Sequence, residues 1–119
     1  MIKHESAKLR KMSARIDKDL LEEFLEVLER IGLDYTSAVR CFSKQTILEG
    51  ALPFRPKAAT VQPSGVTRIM SAKVDEETRA RFLDVLDGIG VDYSTAVRMF
   101  ARQTVAEQAL PFRPGIHQG

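Results

Sequence analysis

The sequence has little of what a catalytic, metal-binding or disulfide-stabilised protein needs. Its 119 residues include one cysteine, no tryptophan and two histidines. The single cysteine, Cys41, cannot form an internal disulfide, so we expect a small buried apolar residue in a reducing compartment. His4 and His117 lie near the two ends of the chain, without the cysteine cluster or the His-x-x-x-H spacing of a zinc site. We therefore expect no metal and no cofactor.

Other motifs are missing as well. No apolar run approaches the length of about 18 residues that a membrane span needs, and the N-terminus lacks the apolar stretch of a signal peptide. No glycine-rich phosphate loop follows a predicted strand, and no serine, histidine and aspartate set falls within a repeated motif. These absences favour a cytoplasmic protein that is not an enzyme and does not contact a membrane.

The sequence does contain a long internal repeat. The segment from Met12 to Pro56 recurs 58 residues later, from Met70 to Pro114, without a gap. About 25 of about 45 aligned positions are identical. A unit of this size rarely buries enough apolar surface to fold alone. We therefore expect each copy to complete the hydrophobic core of the other, and we expect function on a surface that the two copies build together.

Each copy begins with alternating polar and apolar residues, which predicts a half-buried strand over 11–16 and again over 69–74. The side chains expected to face inward are Met12, Ala14, Ile16, Met70, Ala72 and Val74. The side chains expected to face outward are Lys11, Ser13, Arg15, Ile69, Ser71 and Lys73. A single strand needs a partner, and the same strand of the other copy is the obvious one.

Two helices follow each strand. Four aspartates occupy predicted N-cap positions: Asp17, Asp34, Asp75 and Asp92. Gly32 and Gly90 suit the left-handed position that ends a helix, and the second helix of each copy must stop before Pro53 or Pro111. The face predicted to be buried comprises Leu21, Phe24, Leu25, Leu28, Ile31, Ala38, Val39, Phe42, Thr46 and Ile47. In the second copy it comprises Phe82, Leu83, Leu86, Ile89, Ala96, Val97, Phe100, Thr104 and Val105.

The predicted fold is mainly α with a short two-stranded antiparallel β-ribbon, in which the two repeats form an intramolecular pseudo-dimer. The predicted segments are a flexible basic arm (1–10), the first repeat (11–56), a linker (57–67), the second repeat (68–114) and a tail (115–119). The linker has no periodicity and contains proline and glycine.

Charge is distributed unevenly although the net charge is only +2. Residues 1–16 are mainly basic, whereas residues 17–30 are mainly acidic, and the second copy repeats the trend. This segregation indicates one face for a polyanion and another face turned away from it. The alternative is a solvated acidic helix next to an unstructured basic tail.

Three motifs of each copy resemble the RelB/DinJ antitoxins. In the first copy they are S-A-R-I-D at 13–17, I-G-L-D-Y-T-S-A-V-R at 31–40 and A-L-P-F at 51–54, and close variants recur in the second copy. The resemblance implies a ribbon-helix-helix fold, normally a homodimer, here fused into one chain. It also implies binding to double-stranded DNA in a bacterial cytoplasm, associated with the nucleoid. The tandem arrangement also resembles the TraY type of plasmid-transfer regulator.

The resemblance leaves two functions open. The first is a sequence-specific DNA-binding transcriptional regulator, most simply a repressor. The second is an antitoxin that binds and inhibits a RelE/YafQ-like ribonuclease toxin. Antitoxins of this family usually continue past A-L-P-F into a long toxin-wrapping segment, whereas here that motif is followed by the linker or by the final residues. We therefore expect DNA binding to be the main function, with a toxin protein as the alternative partner.

A two-stranded ribbon fits the major groove, so its outward residues are the expected base contacts. They are Lys11, Ser13, Arg15, Ile69, Ser71 and Lys73. Arg15 suits bidentate contact with guanine, and Ile69 suits a thymine methyl group. The residues expected at DNA phosphates, at the start of each second helix, are Tyr35, Thr36, Tyr93 and Ser94.

Several alternatives to these site assignments stay open. The outward strand residues can be merely solvated, and the aspartates at the helix starts can serve only as caps. Arg40 and Arg98 can reach phosphate or can be solvated or salt-bridged. Because the two strands differ in sequence, we expect a target that is not a perfect palindrome. The alternatives to a lone pseudo-dimer are an exchanged dimer, with strands paired between chains, and two chains that pair side by side on DNA.

Overall fold

The computed structural model of the chain describes residues 8–55 and 64–113. Its elements are β1 (Leu9–Asp17), α1 (Lys18–Ile31), α2 (Tyr35–Glu49), β2 (Thr67–Asp75), α3 (Glu76–Ile89) and α4 (Tyr93–Glu107). The predicted fold class is confirmed: a mainly α protein in which one chain supplies both strands of an antiparallel ribbon. Most of the predicted arm, most of the linker, the tail and both histidines lie outside the described residues.

The ribbon has its centre at Ser13, which pairs with Ser71. These two serines occupy the same position of the two copies, 58 residues apart. The pairing therefore places a pseudo-two-fold axis between them. The same symmetry relates two backbone hydrogen bonds of 2.8 Å at the ends of the ribbon, from the Lys18 amide to the Val66 carbonyl and from the Glu76 amide to the Lys8 carbonyl.

Both strands begin earlier than the alternation of the sequence indicates. β1 includes Leu9 and Arg10, which the sequence pattern places in the basic arm, and β2 includes Thr67, which it places in the linker. These residues continue the ribbon because each has a partner on the opposite strand. Apart from these strand starts, the division of the chain into arm, repeats, linker and tail stays a prediction.

The alternation within the strands is confirmed. Five of the six residues expected to face inward are buried, and Met70 is partly buried at the margin of the core. All six residues expected to face outward are exposed. The apolar face of the ribbon thus covers the four helices, and the opposite face is left to solvent.

The helix ends follow the predicted capping chemistry. The Asp17 carboxylate accepts hydrogen bonds from the amides of Asp19 and Leu20, at 3.1 and 3.2 Å, and Asp75 accepts one from the Thr78 amide at 3.0 Å. Gly32 and Gly90 end α1 and α3 in the left-handed conformation, with φ of 91° and 90°, which costs glycine little because it has no Cβ. The first two helices and the last two are therefore joined by equally tight turns.

Four fully buried phenylalanines occupy the centre of the core: Phe24, Phe42, Phe82 and Phe100. Phe24 meets Phe100 edge to face with centroids 5.4 Å apart, and Phe42 meets Phe82 in the same way at the same distance. Both contacts join the first helix of one copy to the second helix of the other. Neither copy therefore has a complete aromatic core without its counterpart.

The burial predictions for Ile31, Ile89 and Cys41 are wrong, and two further buried residues were not predicted. Ile31 and Ile89 are each 40% exposed, because they are the last residues of their helices and lie past the packed face. Leu20 and Val27 are buried although the sequence pattern does not predict it, because the rest of the protein covers more of the α1 surface than the one apolar face that the pattern indicates. Cys41 is only half-buried, on the margin of α2, and not a core residue.

Candidate nucleic-acid interface

The outward face of the ribbon brings together the six residues predicted to contact bases. The strand segments 8–16 and 66–74 contain no acidic residue, so every charge within them is positive. The acidic residues of the two strands are Asp17 and Asp75, which end the strands and cap the helices that follow. Burial of the alternate apolar residues fixes which way these side chains point, because shifting a strand by one residue would reverse its faces. The fold thus specifies a basic, exposed face on two adjacent strands.

The strand register decides which outward residues are neighbours. Lys11 lies opposite Lys73, and Arg15 lies opposite Ile69. Between these two pairs, the hydroxyl oxygens of Ser13 and Ser71 are hydrogen-bonded at 2.8 Å. The two ends of the face therefore differ in chemistry, and each end combines side chains from both copies.

Arg40 and Arg98 hold the ribbon from below. The Arg40 Nε donates to the Lys73 carbonyl oxygen at 2.9 Å, and the Arg98 Nη1 donates to the Arg15 carbonyl oxygen at 2.9 Å. Each bond runs from the second helix of one copy to a predicted base-contacting residue of the other. The sequence alone does not assign a role to these arginines. It does show that they occupy the same place in the D-Y-x-x-A-V-R segment of both copies, which indicates a shared role. In the structure they position the ribbon backbone.

The N-termini of α2 and α4 are capped by aspartate as predicted. The Asp34 carboxylate accepts the Ser37 amide at 2.7 Å, and Asp92 accepts the Thr95 amide at 2.8 Å. The caps therefore engage the third amide of each helix, and within the described part of the chain no hydrogen bond engages the amides of the first two residues. Amides of this kind attract phosphate.

The cap carboxylates lie close to positive charge. The Ser37 amide and side chain, followed by the Arg40 guanidinium, hold the pKa of Asp34 below its usual value. The Thr95 amide and side chain, followed by the Arg98 guanidinium, do the same for the pKa of Asp92. Each arginine thus offsets part of the negative charge that would otherwise oppose a phosphate at these helix starts.

The two tyrosines of the predicted phosphate site point into the protein. Tyr35 meets Phe24 edge to face, and Tyr93 meets Phe82 likewise, with centroids 6.2 and 6.0 Å apart. Both hydroxyls are buried, and neither makes a hydrogen bond of normal geometry within the described residues, although the two hydroxyls lie close enough for each to influence the pKa of the other. Burial raises the pKa of Tyr35 to about 12. Only the backbone amides of these tyrosines, and not their hydroxyls, are left to meet a phosphate.

Thr36 and Ser94 lie half-exposed beside those amides. A shallow depression of about 240 Å³ is lined by Ser94 together with Ser13, Ala14, Arg15 and Ile69. The start of α4 therefore adjoins the outward face of the ribbon at its Arg15 end. The fold places predicted phosphate contacts and predicted base contacts side by side, although both assignments stay predictions.

The described residues contain neither a membrane-spanning helix nor a metal-binding cluster. None of the helices in residues 8–55 and 64–113 combines the length and the apolar character that crossing a bilayer requires. In the same ranges, no three histidine, cysteine or acidic side chains are grouped so that they could hold a metal ion.

Comparison with known proteins gives one clear result. A family model described as RelB antitoxin matches the chain twice, over residues 10–69 and 67–117. No curated protein and no solved structure matches the chain. The two matches contain one strand–helix–helix copy each, so the family and the internal repeat coincide. Because these matches together cover most of the sequence, the chain belongs to the RelB antitoxin family, as a tandem member with two copies of the family's unit.

Proposed function

We propose that the protein is a sequence-specific DNA-binding regulator, a repressor that inserts its two-stranded ribbon into the major groove. The single observation that carries this proposal is the outward face of the ribbon. It presents Lys11, Arg15 and Lys73 without an acidic neighbour on either strand segment. The major groove admits a two-stranded ribbon and displays a distinct set of donors and acceptors for each base pair.

The backbone contacts of this complex would come from the helices below the ribbon. The free amides at the start of α2 and α4 would meet phosphates on either side of the groove, with the Thr36 and Ser94 hydroxyls beside them. Arg40 and Arg98 would keep the ribbon at a fixed height above these helices through their bonds to the strand carbonyls. Base contacts and phosphate contacts would thus be held in one rigid frame.

Selection from a random pool of duplex DNA with the purified full chain tests this proposal. The expected result is a defined motif whose bound guanines are protected from methylation at N7, in the major groove. Affinity for the motif should fall steeply as salt is raised, because phosphate contacts release counterions. An unenriched pool, or binding that ignores sequence at every salt concentration, would contradict the proposal.

A second function, neutralisation of a toxin, is favoured by the family itself. In this alternative the partner is a RelE/YafQ-like ribonuclease, and the two copies form the platform from which the chain binds it. Co-expression with such a ribonuclease tests it. Rescue of growth together with a stable complex would support the antitoxin function, and it is compatible with DNA binding by the ribbon.

A further inference from the structure

The two halves of the ribbon face are chemically different because of the strand register. If the copies were identical, both ends of the face would carry the same pair of side chains, one from each strand. Instead, the Lys11–Lys73 pair occupies one end and the Arg15–Ile69 pair the other, on either side of the Ser13–Ser71 axis. The sequence alone associates each half of a target with one strand. The register shows that each half would be read by both strands together.

These pairs suit different bases. Two ammonium groups side by side form a dense positive charge that meets the O6 and N7 acceptors of guanine without a fixed orientation. Arg15 offers a planar fork for bidentate contact with one guanine, and its neighbour Ile69 is 59% exposed and apolar. An exposed isoleucine in the major groove is matched by the C5-methyl group of thymine. The Arg15–Ile69 end therefore suits a guanine next to a thymine.

The two ends of the ribbon also differ in the surroundings of their arginines. Arg10 forms a salt bridge of 3.2 Å with Glu76. Its counterpart in the second strand is Arg68, and the residue that corresponds to Glu76 is Lys18. Arg68, Lys18 and Glu22 line one groove of about 330 Å³. The Glu22 carboxylate pairs with Lys18 at 3.2 Å, and within the described part of the chain no carboxylate forms a salt bridge with Arg68. Arg68, at the Arg15–Ile69 end, therefore has no salt-bridge partner among the described residues, whereas Arg10, at the other end, is paired with Glu76.

We propose that a single chain binds DNA in one orientation only, on a site whose two halves differ. The Lys11–Lys73 pair reads one half, and the Arg15–Ile69 pair reads the other, which contains guanine and thymine. This inference rests on the proposed function, since it describes how the same face would choose among duplexes. It identifies the target as a directional element instead of a palindrome.

Selected duplexes provide the first test. Wild-type protein should bind its selected site at least about fivefold more tightly than either palindrome made by doubling one half, since a good base contact discriminates by about 1–3 kcal/mol. Two matched variants should abolish that difference. Ile69→Lys with Lys73→Arg gives both copies the outward residues of the first, and Lys11→Ile with Arg15→Lys gives both copies those of the second. Each variant should select a palindrome, and the two palindromes should differ.

Directed cleavage provides the second test, with an iron chelate attached to one cysteine. Cys41→Met removes the native thiol and introduces the residue found at the same position of the second copy, Met99. In that background, Lys8→Cys and Val66→Cys place the chelate at opposite ends of the ribbon, at exposed and symmetry-related positions. Each variant should cut DNA on one flank of the site only, and the two variants should cut opposite flanks.

The outcomes separate this inference from the function on which it rests. Cleavage on both flanks by both variants, or a palindromic motif selected by wild-type protein, would overturn the single orientation while leaving sequence-specific binding in place. Failure of the unmodified chain to select any duplex would overturn the proposed function, and this inference with it.

Discussion

Phe42 and Phe100 stack face to face at the centre of the protein, with ring centroids 4.6 Å apart and ring planes inclined by 16°. They are the same residue of the two copies, so the pseudo-two-fold axis that passes between Ser13 and Ser71 at the ribbon also passes between these rings. The ribbon and the core therefore share one axis. The geometry of the basic face depends on a contact that only the union of both copies can make.

Removing either ring should strongly destabilise the protein. Phe42→Ala and Phe100→Ala should each lower the free energy of unfolding by about 3–5 kcal/mol, which is the usual cost of emptying a buried phenylalanine site. Domains of this size are stable by only about 5–15 kcal/mol, so the double variant should lose most or all of its stability. Urea denaturation followed by circular dichroism measures this. Ile31→Ala is the control, with an expected loss of about 1 kcal/mol or less because its side chain is partly solvated.

The tyrosine hydroxyls should be dispensable. Tyr35→Phe with Tyr93→Phe removes two buried hydroxyls that interact with each other but make no hydrogen bond of normal geometry within the described residues. Because both hydroxyls are removed together, no buried polar partner is left behind, so the free energy of unfolding should stay the same or rise slightly. DNA affinity should not change, because in the proposed complex the phosphates meet the backbone amides of these residues and not their hydroxyls. A clear loss of affinity in the double variant would show instead that the hydroxyls turn outward on DNA.

The aspartate caps should make the protein sensitive to acid. The hydrogen bonds that Asp34 and Asp92 accept hold their folded-state pKa below the ordinary value of 3.8. The unfolded chain therefore binds protons first, and the stabilisation from the caps is present above pH 3.8 and is lost as pH falls through the lower folded-state pKa.

Asparagine at these two positions isolates the effect. Asn caps a helix about as well as Asp but does not titrate. The thermal midpoint of Asp34→Asn with Asp92→Asn should therefore match that of the wild type at neutral pH, and it should fall less than the wild-type midpoint between pH 5 and pH 2. Asp84→Asn with Asp87→Asn removes the same number of charges from α3, where neither residue caps a helix. An equal flattening in both double variants would mean that net charge, and not capping, causes the acid sensitivity.

Arg40 and Arg98 should act on specificity through the position of the ribbon. Arg40→Lys with Arg98→Lys keeps both charges but loses the guanidinium donors that meet the Lys73 and Arg15 carbonyls. We expect a smaller ratio of specific to nonspecific affinity, because the residues proposed to contact bases are no longer held at a fixed distance from the helices.

The salt dependence distinguishes positioning from direct phosphate binding. The slope of log affinity against log salt changes by about 0.9 for each phosphate that the protein ceases to neutralise. With Arg40→Gln and Arg98→Gln, a positioning role leaves this slope unchanged while specificity falls. A slope reduced by roughly 2 would show that both arginines release their carbonyls and bind phosphates when DNA is present.

Much of the fold follows from local patterns in the sequence. The strand alternation, the four aspartate caps and the two glycine helix ends are each set by residues within one turn of the feature, and all are confirmed. What could not be predicted depends on contacts between the copies. The pairing of Lys11 with Lys73 follows from the strand register, and the bond from Arg98 to Arg15 joins residues 83 positions apart. No periodicity within one copy carries that information.

The candidate site, like the fold, could be predicted only in part from the sequence. Its outward strand residues follow from alternation alone, whereas the inward turn of Tyr35 and Tyr93 does not. A tyrosine at the start of a helix can present its hydroxyl to solvent or pack its ring into a core. Here the nearby Phe24 and Phe82 rings decide in favour of packing. The Cys41 prediction failed for a related reason, since a small residue on the margin of a helix face is buried only as far as its neighbours reach.

The most direct test of the ribbon as the DNA-reading element is the ratio of specific to nonspecific affinity after Arg15→Ala with Lys73→Ala. Each side chain is exposed, so the thermal midpoint should hardly change, while removal of each base-contacting group should cost about 1–3 kcal/mol. Arg55→Ala with Arg113→Ala removes the same charge beyond the ends of α2 and α4, from exposed positions away from the ribbon. Fluorescence anisotropy titrations of the selected site and of a scrambled duplex, at one salt concentration, give the ratio. If the ribbon reads the DNA, the ratio of specific to nonspecific affinity should fall close to one in Arg15→Ala with Lys73→Ala and stay at the wild-type value in Arg55→Ala with Arg113→Ala. An unchanged ratio in Arg15→Ala with Lys73→Ala would contradict a DNA-reading role for the ribbon.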